Sequence, residues 1–193
     1  MAVVRVESLV YGAENVNDGI RYFEQWGLEK VETGANGAVF RTPENQFVHI
    51  RAAFDPTVPS APEGANTMRE ATWGVDSKAS LERLGAELAK DREVKRDADG
   101  TLHSRDDTGF AIAFKVANRM PAPQKALEFN VNNVGPRVNR VIDRAPARPA
   151  HPIRIGHIVY TIPSEGREKA ADFYLDRLGL RLSDRSKNLG DFM

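Results

Sequence analysis

A chain of 193 residues, 41% of them hydrophobic, has room for one large domain or one and a half small ones and enough apolar side chains to bury a core. Lysine plus arginine and aspartate plus glutamate stand at 27 each, so no global field directs the chain to nucleic acid or an anionic membrane. With no cysteine there is no disulfide scaffold, thiolate metal site or thiol nucleophile, and with no bilayer-length apolar run and no signal-peptide pattern the expected location is the cytoplasm.

In chain order, Val3 to Tyr11 has the pattern of a strand and Val16 to Trp26 that of a helix, with Ile20, Phe23 and Trp26 on one face. Gly27 follows the last helical turn, where glycine forms the least strained cap. Lys30 to Thr33, Ala38 to Arg41 and Gln46 to Ala52 read as three short strands divided by turn residues, so the unit is βαβββ. A linker carrying Pro56, Pro59 and Pro62 comes next. A second unit follows: a strand over Ala71 to Val75, a helix over Lys78 to Lys90, and strands over Val94 to Arg96, Leu102 to Arg105 and Phe110 to Val116. Its helix has Leu81, Leu84 and Leu88 at helical spacing and Ser77 as N-cap, and Asp106-Asp107-Thr108-Gly109 has hairpin-turn chemistry.

Residues 118–153, rich in proline and arginine, read as an inter-domain connection with one strand near Leu127 to Val131. Its Arg137, Arg140, Arg144 and Arg148 are interleaved with proline, aspartate and asparagine, which suits a solvated or packing role better than an anionic partner. At Arg154 the opening of the chain is repeated. Arg5-Val6-Glu7-Ser8-Leu9-Val10-Tyr11 leads into Tyr22-Phe23-Glu24-Gln25-Trp26-Gly27-Leu28, and Arg154-Ile155-Gly156-His157-Ile158-Val159-Tyr160 leads into Phe173-Tyr174 and Leu178-Gly179-Leu180. The chemically loaded difference is His157 in place of Ser8. The domains expected are therefore 1–117, made of modules over about 1–54 and 68–117, and 154–193, the start of a third module whose remaining strands would lie beyond Met193. An unfinished module exposes sheet edge and apolar helix face, and needs the first domain, a second copy of the chain or a C-terminal remainder to cover it.

Tandem βαβββ units with these helix endings resemble the vicinal oxygen chelate superfamily, which covers glyoxalase I, the bleomycin and fosfomycin resistance proteins and the type I extradiol dioxygenases. The resemblance implies an α+β fold in which two modules place curved sheets side by side in an open barrel, helices outside. The layout is most similar to a type I extradiol dioxygenase, with four modules in two domains and Fe(II) in the second. In that family the first metal ligand is a histidine in a Gly-His-hydrophobic context opening module three, which Gly156-His157-Ile158-Val159-Tyr160 matches. The resemblance thus implies that His157 ligates the metal and that Val159 walls the substrate pocket. The second histidine, the glutamate ligand and the catalytic tyrosine of the family belong to module four, and its catalytic histidine to the end of module three. A two-histidine, one-carboxylate face leaves three positions for a chelating catecholate and O₂. One imidazole alone does not hold Fe(II) against water, so the chain by itself is expected to be inactive and to bind no metal stably.

Other histidines invite the plainer reading of a structural side chain. In the first two modules the superfamily's ligand positions fall at Ser8, His49, Glu70 and Ala113, of which His49 with Glu70 is a candidate weak site; a metal-free half is the favoured reading. His103 reads as solvent-facing, and His151 as a linker residue. Tyr22, Phe23, Trp26, Phe173 and Tyr174 fall at core spacing and are expected to pack on the sheet. The function expected of the complete protein is Fe(II)-dependent, or Mn(II)-dependent, cleavage of a catechol-type ring with O₂ by a homo-oligomer. The alternative is a glyoxalase or bleomycin-resistance type of small-molecule binding protein without redox chemistry.

Overall fold

The computed structural model describes residues 3–62, 64, 66–122, 151–187 and 190–193. The strand expected near Leu127 and the arginines of residues 137–148 lie outside them.

The first module runs β1 (Val3–Ala13), α1 (Val16–Gln25), β2 (Glu29–Gly34), β3 (Gly37–Arg41) and β4 (Phe47–Ala52). The second runs β5 (Thr67–Val75), α2 (Lys78–Leu88), β6 (Lys95–Arg96), β7 (Leu102–Arg105) and β8 (Ala111–Val116). Both are the expected βαβββ unit, and they share one eight-stranded sheet of order β2-β3-β4-β1-β5-β8-β7-β6. Each opening strand pairs in parallel with the last strand of its own module, and the modules join where β1 and β5 run antiparallel.

That junction has a two-fold logic. Leu9 faces Ala71 at its centre, Ser8 faces Thr72, and Val10 faces Glu70. On the flanks Val10 lies beside His49, and Thr72 beside Ala113. Exchanging the modules therefore maps Ser8 onto Glu70 and His49 onto Ala113, the four positions aligned from sequence. The paired length also explains why β5 begins at Thr67 rather than at Ala71. Its polar first half (Thr67, Arg69, Glu70) has little strand character alone, but Tyr11 and Gly12 of β1 give it backbone partners.

One sheet face carries the helices. Asn15 caps α1 by accepting from the backbone N–H groups of Asn17 and Asp18, and Ser77 caps α2 through Ser80. The α1 side buries Phe40, Val48 and Ile50 under Val16, Ile20 and Phe23. The α2 side buries Val75, Ile112 and Phe114 under Leu81, Leu84 and Leu88. Tyr22 and Trp26 differ from expectation: they remain 58% and 54% exposed. Ile20 and Phe23 already occupy the arc of α1 that faces the sheet, so these two rings stack on Phe23 instead, at 5.1 and 6.0 Å between centroids. Among the described residues no helix is long and apolar enough to cross a membrane.

The C-terminal segment fills the space over β1 and β5 between the two helices. Ile155, Ile158 and Tyr160 pack against Val6, Leu9 and Ala71. The expected strand over Arg154 to Tyr160 is not formed, because β1 and β5 are already paired on both edges and offer no free backbone. The buried amide of Gln46 substitutes for a neighbouring strand: Ile155 N–H donates to its Oε1 at 2.7 Å, and its Nε2 donates to Ile155 O at 3.0 Å and Val6 O at 2.7 Å. Next come helix α3 (Arg167–Asp172), a π-helical turn over Phe173–Arg177, and a hairpin of β9 (Asp184–Ser186) and β10 (Gly190–Phe192). Phe173 and Leu178 enter the core beneath α2. Arg177 donates to Glu87 O and ion-pairs Asp91 at the C-terminal end of α2, and the Tyr174 hydroxyl donates to Asp106 at 2.7 Å.

Candidate functional site

Alternation along β1 and β5 sends Leu9, Tyr11, Ala71 and Trp73 to the helix side, so Ser8, Val10, Glu70 and Thr72 face the opposite side. His49 and Ala113 share this second face through their pairing with Val10 and Thr72. The module arithmetic thus gathers all four sequence-aligned positions on one polar face. Their chemistry is uneven. Ser8 is a half-buried hydroxyl, and Ala113 is a fully buried methyl group. Burial, followed by the charge of Arg51, lowers the pKa of His49 and keeps its imidazole neutral at ordinary pH.

Glu70, only 7% exposed, is committed elsewhere. His103 on β7 reaches across β8 and places Nδ1 2.9 Å from Glu70 Oε1, while its Nε2 lies 3.1 Å from Asp97 Oδ2 in the β6–β7 turn. The crossing is possible because, between His103 and Glu70, β8 presents the small methyl groups of Ala111 and Ala113 on this face. His103 was expected to face solvent; its partner is set by cross-strand register, which no local spacing reveals. Only the imidazolium can donate from both nitrogens, and the two carboxylates, Glu70 foremost, raise the His103 pKa above its ordinary value.

The raised pKa sets the sign of a pH dependence. The bridge stabilises the fold fully below the ordinary histidine pKa of 6.5, and its contribution is lost as pH rises through the higher folded value. His103→Gln is therefore expected to cost about 1–2 kcal/mol near pH 6 and progressively less toward pH 9, in urea-unfolding midpoints. An equal cost at both pH values would contradict the bridge.

As a metal site this face is incomplete. His49 and Glu70 flank Val10 in one cross-sheet row, and among the described residues no group of three or more histidine, aspartate or glutamate side chains is arranged to hold an ion. His157 is not brought to it. It lies in the docked segment on the helix side of the sheet, exposed, alternating with the inward-facing Ile158 and Tyr160. His157 and Val159, the latter 74% exposed, instead line a cavity of about 420 Å³ together with Leu9, Met68 and Phe110. His151, assigned to the linker, donates from Nδ1 to Gly27 O at 2.9 Å, at the end of α1.

No protein-family model matches the sequence, and no curated protein matches it. Solved structures do match. A Mn(II)-bound glyoxalase from Novosphingobium aromaticivorans superposes with a TM-score of 0.66 at 20% identity, over 98% of this chain and 57% of that one. The chain has the vicinal oxygen chelate fold. Two further structures with this fold are the 2,3-dioxygenase LapB from Pseudomonas sp. KL28 and the 2,2',3-trihydroxybiphenyl 1,2-dioxygenase from Sphingomonas wittichii strain RW1. The first has a TM-score of 0.63 and 20% identity, over 99% of this chain and 65% of that one. The second has a TM-score of 0.61 and 19% identity, over 95% and 60%. The present chain thus spans less than two thirds of the length of each vicinal oxygen chelate structure compared.

Proposed function

We propose that residues 1–193 are the N-terminal portion of an extradiol dioxygenase that opens a catechol-type ring with O₂. In this reading residues 1–117 are the metal-free half and residues 154–193 open the metal-bearing half. The observation that carries it is the extent of the structural likeness: it runs over the C-terminal segment as well as the sheet, covering 95–99% of this chain against 60–65% of two dioxygenases. The donor set agrees with that division. Glu70 is held by His103, Ala113 offers no ligand atom, and His157 stands apart with one exposed imidazole. These residues alone do not fit Fe(II) or Mn(II), and no step of the reaction is assigned to them.

In the complete protein His157 supplies the first ligand to Fe(II), or to Mn(II) as in the glyoxalase neighbour, and Val159 forms part of the wall against a small aromatic diol. The rest of that wall comes from further chain or from a second copy in a homo-oligomer. A glyoxalase-type function is the second reading, favoured by the Mn(II)-bound glyoxalase at TM-score 0.66. Oxygen uptake separates the two. The product of the complete reading frame, purified with Fe(II), is expected to consume one O₂ per catechol, and His157→Ala is expected to lose iron and turnover together. A reading frame that ends at codon 193, or isomerisation without oxygen uptake, would remove the dioxygenase assignment.

A further inference from the structure

A cavity of about 930 Å³ lies where both ends of the C-terminal segment meet the Val3–Val6 end of β1. That is within the size range of small-molecule sites. Its charged side chains are four arginines, Arg5, Arg119, Arg154 and Arg181, against one carboxylate, Glu44. Arg119 pairs with Glu44 at 2.8 Å, and Arg5 with Glu7 behind the wall at 3.0 Å. Arg154 and Arg181 have neither an ion pair nor a side-chain hydrogen bond among the described residues.

A second observation points to an acceptor. Two wall donors are buried without a hydrogen-bond partner: Nη1 of Arg5, whose side chain is only 10% exposed, and Nε1 of Trp73. Buried N–H groups are nearly always satisfied, and orphaned ones cost folding free energy. Both side chains line the same cavity, and neither of these two nitrogens has a hydrogen-bond partner among the described residues. The apolar part of the wall comes from Val4, Val6, Trp73, Leu180 and Leu182. An inorganic anion would satisfy the cations and leave that surface wet.

We propose that this cavity binds a small organic carboxylate, its charge held by Arg5, Arg154 and Arg181 and its apolar body against Trp73 and Leu182. The site is separate from the polar face of the sheet and does not depend on dioxygenase or glyoxalase chemistry.

The chain has only two tryptophans, so indole N–H resonances of the ¹⁵N-labelled protein report the site, with Trp26→Phe assigning them. Titration with benzoate is expected to shift the Trp73 indole saturably and leave that of Trp26 in place. Benzamide, the uncharged analogue, and inorganic phosphate are expected to bind at least about ten-fold more weakly, as is benzoate to the Arg154→Ala, Arg181→Ala double variant. Both arginines are exposed, so the variant is expected to keep the wild-type circular dichroism. An unmoved Trp73 resonance, equal binding of benzamide, or unchanged benzoate affinity in the folded double variant would overturn the proposal. Phosphate binding as tightly as benzoate would make this a plain anion site and overturn the organic carboxylate.

Discussion

Phe173→Ala is expected to lower the free energy of unfolding by about 3–5 kcal/mol and to free the C-terminal segment from the sheet. The ring is 2% exposed and shares a core with Leu81, Leu84, Leu88 and Phe114. The Arg92 guanidinium lies 4.6 Å from its centroid, and Tyr174 meets it edge-on at 5.3 Å. Truncation leaves a cavity under α2 and removes an apolar anchor of a segment that is also tied by Leu178, Tyr174 and Arg177 and by the Gln46 amide, Ile155, Ile158 and Tyr160. Urea unfolding measures the loss, and limited proteolysis is expected to cut within residues 151–193 first while sparing the eight-stranded sheet. If this segment were undocked in solution, the substitution would change the unfolding midpoint little.

Gly37→Ala is expected to be nearly as damaging, at about 3 kcal/mol. Gly37 opens β3 at φ 138°, outside the range that side-chain-bearing residues adopt readily. A β-carbon there would sit 1.8 Å from the backbone oxygen of Ile50, on the strand it pairs with. That oxygen cannot rotate away as a side chain would; β3 and β4 must separate at the register that places His49 opposite Val39. Gly34→Ala, at the other side of the same hairpin, meets nothing within 4 Å and is expected to stay within about 0.5 kcal/mol of wild type in the same thermal or urea unfolding series. Equal effects at the two positions would show that the clash is relieved by a local shift.

The βαβββ unit was legible because each module switches from short alternating runs to a 3.6-residue period and back, with capping residues at the switches. Asn15 and Ser77 begin helices and Gly27 ends one, so the element order follows from local chemistry alone. The four aligned positions Ser8, His49, Glu70 and Ala113 were legible for the same reason, since aligning the modules amounts to applying the two-fold at Leu9 and Ala71. What the sequence hid depends on neighbours distant in the chain. Glu70 and His103 are joined across β8 by a register in which two alanines open the way. Arg154 to Tyr160 has a strand's pattern but no free strand edge beside it, and Gln46, just before β4, takes the place of the missing partner. Tyr22 and Trp26 have core spacing, yet Val16, Ile20 and Phe23 already occupy the arc of α1 that faces the sheet.

The His103 bridge also gives the polar face of the first module pair a physical account. Glu70, which the pseudo-two-fold relates to Ser8, is turned toward the His103 imidazole, and the position that maps onto His49 is an alanine. Two ligand-type side chains separated by a strand, one of them already bonded, give a metal little to exchange for its hydration shell.

Calorimetric titration of the purified 193-residue chain with Fe(II) under anaerobic conditions, repeated with Mn(II), tests this division of labour most directly. The expected result is no stoichiometric binding, and no difference between wild type, His49→Ala and Glu70→Ala. One equivalent of metal bound tightly and lost in either variant would make the first module pair the metal-bearing half and contradict the assignment of that role to His157.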